Sequence, residues 1–410
     1  MMRMKRIACS RMWSDVNIRV PLQQISNCCK RLPYNTPESV LEEYGSTVFA
    51  ERPHLIQDRI QVLETNKLDD KCQACINTWP NSPWKSFNRW RDQEWSSDQI
   101  KILPYEDRVQ RVELMLSNTC NMTCMYCSSE FSSSWQKLNA DNAIHVSDSW
   151  LDLMLEALYV FVSTRKNNNI VFSFLGGEPL LEPKMFPVLD MLLDAIKVSG
   201  TTGHRIQIIS NLNLKPKVIN NFLSKVKQAP DIFWEINASI DAVGYPGTVI
   251  RDGLDWSLFE HNVESILACQ EVKYVDFLST MTCLNVPYYK EMLEWIFDQA
   301  KRHRGLDNFS KSWYTTCWPV TDPEQLFPGM LPAKYKSSIL DCISFAKTAN
   351  IPNAKELKHD LENLHNMIGT CRSLDHIESA RKWFEQQSTI KGKNYFEIFP
   401  HLTDILTEGK

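Results

Sequence analysis

The sequence contains no apolar run approaching the ~20 residues that a membrane-spanning helix needs. Its first residues, Met1 to Trp13, are basic, but the apolar stretch of roughly 7–15 residues that marks a secretory signal peptide is missing. No charge of one sign dominates. The 45 Lys and Arg face 49 Asp and Glu, a net charge of -4, which gives no electrostatic footprint for nucleic acid or an anionic membrane surface. Internal repeats and low-complexity tracts are also missing. What remains, 43% hydrophobic and 23% charged residues in a chain of 410, is the composition of a soluble globular protein of about two or three domains. The expected compartment is the cytoplasm, with neither a membrane nor nucleic acid as partner.

Cysteine is the residue in unusual supply. There are 13, an odd count that rules out complete pairing into disulfides. Cys9, Cys28, Cys29, Cys72 and Cys75 lie near the N-terminus, and Cys120, Cys124 and Cys127 crowd into eight residues. In a reducing compartment such clusters bind metal more often than they form disulfides. Cys269, Cys283, Cys317, Cys342 and Cys371 are scattered, which fits small buried apolar side chains.

From Val112 to Val320 the pattern alternates between short apolar runs and amphipathic stretches. The runs Val112–Leu116, Ile170–Leu175, Arg205–Ser210, Trp234–Ile240, Val275–Cys283 and Trp313–Val320 read as strands. Between them, Trp150–Val162, Met185–Val198, Lys215–Val226, Leu258–Cys269 and Tyr288–Lys301 carry apolar residues at three- and four-residue intervals and read as helices. Alternation of this kind predicts an α/β fold with parallel strands and right-handed crossovers, an open partial (β/α)6 barrel over residues 109–320. Its active site belongs in the loops at the strands' C-terminal ends. A cysteine-bearing segment (1–79), a Trp-rich linker (80–108) and a helical C-terminal region (321–410) flank the barrel. In the linker, Trp79, Trp84, Trp90 and Trp95 accompany Lys85, Arg89 and Arg91, a lid or, more simply, packing between domains.

The run Cys120-Asn-Met-Thr-Cys124-Met-Tyr-Cys127 follows the first predicted strand. Random placement would put two further cysteines at these offsets in roughly 1% of such chains, so chance is a weak competitor. Three thiolates this close suit three corners of a 4Fe–4S cubane, leaving one iron open for a ligand. The competing reading is a structural zinc site with a distant fourth ligand.

At these residues the sequence resembles the radical S-adenosylmethionine (radical SAM) superfamily, whose signature is C-x3-C-x-aromatic-C, with Tyr126 at the aromatic position. Phe174-Leu175-Gly176-Gly177-Glu178-Pro179 is similar to the family's GGEP element, which receives the amino group of S-adenosylmethionine. Ser210-Asn211 is similar to its Thr-Asn-Gly element, although Leu212 stands where Gly is usual. Ser239-Ile240-Asp241 is similar to its Ser-hydrophobic-Asp element, with Arg251 downstream as a partner for the cofactor carboxylate. The resemblance implies that Cys120, Cys124 and Cys127 hold the cluster. It also implies that Tyr126, Gly176, Gly177, Glu178, Ser210, Asn211, Ser239, Asp241 and Arg251 line the cofactor. The implied activity is reductive cleavage of S-adenosylmethionine to methionine and a 5′-deoxyadenosyl radical, which abstracts hydrogen from substrate. An electron donor such as flavodoxin or ferredoxin is implied as partner.

Cys9, the Cys28–Cys29 pair and Cys72-x-x-Cys75 resemble the SPASM/twitch auxiliary-cluster segment of peptide-modifying members. This implies a second 4Fe–4S cluster and a peptide, protein or peptide-like substrate. Two departures stand. That segment usually follows the barrel, whereas here it precedes it, and only four or five candidate ligands are present, enough for one cluster; sequence does not choose between Cys28 and Cys29. A zinc site would use the same thiolates. Alternatives for the whole chain are the same radical chemistry on a small metabolite or nucleotide, and a non-catalytic Fe–S or zinc protein. The GGEP-like element argues against the last, since a carrier needs no ammonium-binding loop.

Overall fold

Runs of β-branched and aromatic residues become strands here, and the amphipathic stretches after them become helices. A computed structural model describes residues 11–28, 34–49, 52–65, 109–144, 147–166, 169–304 and 312–407. Cys9, Cys29, Cys72, Cys75 and the Trp-rich linker lie outside the described residues. The chain divides into two units: Met1–Cys120, Ser129–Ser210 and Asn220–Ile236 form one, and Asn121–Ser128, Asn211–Ile219 and Asn237–Lys410 the other.

In the first unit, β4 (Arg111–Met115), β5 (Val171–Leu175) and β6 (Arg205–Ser210) lie side by side and parallel, with Arg111 opposite Val171 and Val171 opposite Arg205. The N-terminal segment extends this sheet. β1 (Asp15–Arg19) pairs in parallel with β4, and β2 (Gln24–Ser26) and β3 (Tyr34–Asn35) follow antiparallel. The crossovers from β4 to β6 run through α4 (Ser133–Leu138), α5 (Asp148–Ser163) and α6 (Met185–Ser199), numbered after the N-terminal helices α1 (Arg11–Ser14), α2 (Glu38–Tyr44) and α3 (Pro53–Thr65). Local chemistry sets the ends of the crossover helices. Ser132 and Ser147 cap α4 and α5 by accepting from Trp135 N–H and Trp150 N–H, and Gly200 ends α6 at φ 67°, where glycine is at ease.

The sheet's two faces differ. Val112, Leu114, Phe172, Phe174, Ile206 and Ile208 are fully buried, as parallel strands require, each large side chain stabilising by about 1.5–3 kcal/mol. The alternate positions carry a polar row instead. Asn17 donates to Glu113 at 3.1 Å, Ser173 to Gln207 at 2.6 Å, and Gln207 to Glu235 at 2.7 Å. Arg111 and Arg205 join this row, Arg111 through Ser173 and Gln207, Arg205 through Glu235.

β7 (Phe233–Ser239) is shared by the two units, as is α7 (Pro216–Gln228). In the second unit β8 (Val272–Met281) and β9 (Trp313–Pro319) pair in parallel over seven residues, from Val275 opposite Trp313 to Met281 opposite Pro319. The helices there are α8 (Gly244–Ile250), α9 (Trp256–Ala268), α10 (Tyr289–Arg304), α11 (Lys336–Thr348), α12 (Ala354–Met367), α13 (Leu374–Lys391), α14 (Tyr395–Ile398) and α15 (Leu402–Thr407). The expected α/β alternation is what the chain adopts, since each of the six expected strands is followed by helix. The strand and helix limits fall within about three residues of those read from periodicity. No described helix is long and apolar enough to cross a membrane.

The tail is tied in by His401, which is 8% exposed and donates from Nε2 to the Cys283 carbonyl at 3.0 Å. Its ring also meets Tyr288, Tyr335 and Phe399. Burial pushes its pKa down from 6.5 to about 4, against an opposing pull from Cys283 and Asp404. The unfolded ring therefore takes up a proton near pH 6.5 while the folded ring stays neutral. Stability is full above that value and falls as pH drops toward 4, by about 3 kcal/mol in all. Urea midpoints measured across that window should fall less in His401→Gln than in the wild type. Parallel curves would show that the ring is protonated in the folded state.

Candidate active site

Two loops leave adjacent strand ends in the first unit. Ser117-Asn118-Thr119-Cys120 follows β4, and Gly176-Gly177-Glu178-Pro179 follows β5. Gly177 N–H donates to the Ser117 carbonyl at 3.4 Å and Glu178 N–H to the Thr119 carbonyl at 2.6 Å. Both glycines are sterically required. Gly176 has φ 121°, and a Cβ on Gly177 would lie 2.2 Å from the Thr119 oxygen. Cys120 is held on its other side by α4. Its N–H donates to Ser133 Oγ at 3.1 Å, and its carbonyl accepts from Ser134 Oγ at 2.7 Å. Asn118 braces the same turn by donating to the Ser129 carbonyl and to Gln136.

Glu178 is 1% exposed. Its Oε1 accepts from Ser210 Oγ at 2.9 Å and from Leu180 N–H at 3.2 Å, so two site residues expected from the sequence meet here. Cys28 is buried in the same unit, next to the hairpin strand β2.

The second unit holds the rest of the cysteine loop against residues 250–253. Thr123 N–H donates to the Asp252 carbonyl at 2.8 Å and Met125 N–H to the Ile250 carbonyl at 2.9 Å. Cys127 N–H turns back to the Cys124 carbonyl at 3.0 Å, placing both thiols on one turn. Tyr126, between them, donates to Asp241 Oδ2 at 2.6 Å, and Arg251 reaches both the Tyr126 hydroxyl and Asp241 Oδ2. Asp241 Oδ1 accepts from Thr280 N–H at 2.8 Å. Three residues expected to line the cofactor, Tyr126, Asp241 and Arg251, therefore form one buried cluster. Burial pushes the Tyr126 phenol well up. Burial works against the Arg251 charge, but Tyr126, Cys124 and Asp241 raise its pKa further. Arg251 Nε is buried with no hydrogen-bond partner, a spare donor suited to a carboxylate.

Asn211 donates to Asn121 Oδ1 at 3.0 Å, and Asn121 donates to the Asn213 carbonyl at 2.7 Å. Leu212 sits between them at φ 50°. The position does need the left-handed conformation that glycine favours. A leucine is held there by full burial and by Asn262, whose Nδ2 donates to the Leu212 and Leu214 carbonyls at 2.8 and 2.7 Å. Ser239 ends β7, half-buried.

Sequence reasoning missed Asp252. It accepts from Thr123 Oγ1 at 2.8 Å and Lys391 Nζ at 3.0 Å, and pairs also with Lys393. No local periodicity links residues this far apart. The one visible signal was the Arg251-Asp252-Gly253 run itself.

The residues suit an iron–sulfur cluster. Cys120, Cys124 and Cys127 form no disulfide, with Cys124 buried and the other two half-buried. Buried cations hold the residues flanking Cys124, Lys391 at the Thr123 carbonyl and Arg251 at the Tyr126 hydroxyl. Among the described residues no three His, Cys, Asp or Glu side chains converge as the ligands of one metal ion.

Gly177→Ala should cost about 1–3 kcal/mol, the usual penalty for an atom forced into a packed site, because the clashing atoms belong to the backbone. A lower urea midpoint at unchanged slope would show it. A wild-type midpoint would mean that the two loops have slack.

No family model and no curated protein matches the chain. Among solved structures, native anSMEcpe with bound AdoMet overlaps it with a TM-score of 0.43 at 18% identity, over 58% of this chain and 60% of that one. Native anSMEcpe with bound AdoMet and Cp18Cys peptide gives 0.40 at 17%, over the same shares. The Streptococcus suis SuiB structure bound to S-adenosylmethionine gives 0.37 at 11%, over 80% and 69%. The match thus spans three-fifths of the anSMEcpe chain.

Proposed function

We propose that the chain is a radical SAM enzyme whose 4Fe–4S cluster is ligated by Cys120, Cys124 and Cys127, acting on a peptide, protein or peptide-like substrate. One observation carries this reading. The loop that leads from the first barrel strand to Cys120 is hydrogen-bonded, backbone to backbone, to the Gly177-Glu178 turn after the next strand. That arrangement serves a ligand held by thiolates on one side and an ammonium acceptor on the other. When bound, the cluster and S-adenosylmethionine supply one-electron chemistry that ends in hydrogen abstraction.

The chain's own residues bind and orient. Glu178, buried and aligned by Ser210 and Leu180 N–H, is the acceptor for the cofactor's ammonium. Gly176 and Gly177 bring backbone carbonyls close enough to assist it. Arg251, fixed by Tyr126 and Asp241, offers its spare Nε to the carboxylate. Asn211 and Ser239, at the ends of the third and fourth barrel strands, line the nucleoside side. Electrons arrive from a protein donor of flavodoxin or ferredoxin type.

The N-terminal thiols, Cys9, Cys72, Cys75 and one of Cys28 or Cys29, hold a second cluster in this reading. Four thiolates saturate a cubane and leave it for electron transfer or structural support.

Cys124→Ala should abolish 5′-deoxyadenosine formation while leaving the fold intact, as read by anaerobic reconstitution, product assay and circular dichroism. Undiminished product in the variant rejects the ligand assignment. Replacing Cys72 and Cys75 together by Ala should reduce iron from about eight to about four per chain, given two four-iron clusters. Cofactor cleavage without substrate should persist. Zinc in place of iron, or iron content untouched by the double change, rejects the second cluster.

A further inference from the structure

Lys391 is the last residue of α13, far along the chain from the cysteines. A lysine at a helix C-terminus is ordinarily explained by the macrodipole, and an exposed side chain is enough for that. Here the side chain is only 3% exposed. Its Nζ donates to the Thr123 carbonyl at 3.2 Å, one residue before Cys124, and to Asp252 Oδ2 at 3.0 Å. Gly392, at φ 62°, then turns the chain so that Lys393 meets the other oxygen of Asp252. Thr123 is thus gripped at three atoms: its N–H by the Asp252 carbonyl, its hydroxyl by the Asp252 carboxylate, and its carbonyl by Lys391.

The charge balance around this half of the loop is uneven. Arg251, Lys391 and Lys393 face Asp241 and Asp252, so cations outnumber carboxylates. The hydrogen bond to the Thr123 carbonyl sets the Lys391 ammonium one residue from Cys124 in the chain. A reduced cluster carries one more negative charge than an oxidised one. A cation held in a poorly solvated setting favours the reduced form more than the same charge in water would.

We propose that Lys391 is a positioning residue of the iron–sulfur site: it fixes the Thr123 carbonyl beside Cys124 and holds a positive charge that raises the cluster's reduction potential. This rests on the cluster assignment above. The structural element responsible is the tail helix, so the last quarter of the chain takes part in tuning the site as well as packing beside it.

The test is an EPR-monitored redox titration of anaerobically reconstituted full-length protein, comparing wild type with Lys391→Gln and Lys391→Arg. Lys391→Gln keeps a donor for the Thr123 carbonyl but loses the charge. It should retain wild-type iron content, show a more negative midpoint potential, and cleave cofactor about tenfold more slowly at a fixed reductant potential. Lys391→Arg should restore most of the potential. A Lys391→Gln midpoint equal to wild type overturns the proposal. Lys393→Gln, at the more exposed partner of the same carboxylate, serves if the first variant does not fold. It should move the potential the same way by a smaller step, and an unmoved potential there overturns the proposal equally. Wild-type protein that takes up no iron overturns the cluster assignment as well. A wild-type cluster with an unmoved variant potential overturns only the role of Lys391.

Discussion

The pairing of Asp252 with the cysteine loop is the constraint on which the second unit depends. Burial alone would push its carboxylate toward the neutral form, but Lys393, Thr123 and Lys391 hold its pKa below the ordinary value. Each partner belongs to a different stretch of chain, so one ionised group binds the loop, the end of α13 and the turn after it. A half-buried charge of this kind is tolerable only with every partner present, because removing one leaves the others desolvated and unpaired. Its neighbour Arg251 repeats the arrangement one residue earlier, linking Tyr126 to Asp241, which in turn receives Thr280 N–H from β8. Gly253 completes the run at φ 100°, with the Asn121 carbonyl 3.1 Å from where a Cβ would stand. Three consecutive residues therefore supply a cation, an anion and a close backbone approach to one loop.

The first unit solves the same problem mainly with neutral partners, the Thr119 hydroxyl on Glu182 being the exception. Cys120 is fixed by the hydroxyls of Ser133 and Ser134, and the turn before it by contact with two glycines. Neutral hydrogen bonds and excluded volume position a backbone without setting an electric field. In the second unit, by contrast, the loop's partners are mostly ions. Any tuning of thiolate charge thus falls on Cys124 and its surroundings, whereas Cys120 is placed chiefly by shape.

Much of this was legible in the sequence, for physical reasons that differ by element. The strands at Arg205–Ser210 and Trp313–Pro319 could be placed because buried β-strands keep their apolar pattern in any context. Gly176-Gly177 stood out by its resemblance to the GGEP element, and the structure adds a packing reason for the second glycine, a Cβ there standing 2.2 Å from the Thr119 oxygen. Leu212 looked like a departure from a glycine position. Its φ of 50° shows that the conformation is retained while the residue differs, with Asn262 supplying from another helix what flexibility would have supplied locally. Lys391 and Asn262 carried no sequence signal, and Asp252 only the Arg251-Asp252-Gly253 run, because their partners lie tens to hundreds of residues away. The parallel pairing of β1 with β4 was hidden for a related reason. A five-residue alternating stretch predicts a strand but says nothing about its neighbour.

The two chemistries open to three close thiolates, a single zinc ion and an iron–sulfur cubane, make different demands on their surroundings. A structural zinc site closes its own coordination with four converging ligands and needs little else from the protein. A redox cluster must also be tuned, and tuning is done by net charge and by hydrogen bonds around the sulfurs. Two buried cations hold the cysteine loop, Arg251 through the Tyr126 hydroxyl and Lys391 through the Thr123 carbonyl, and each is fixed by a carboxylate that is itself pinned, Asp241 by Thr280 N–H and Asp252 by Thr123. Fixed cations stabilise any anionic thiolate site, but under the cluster assignment proposed above they would act a second time, favouring the form that carries the added electron.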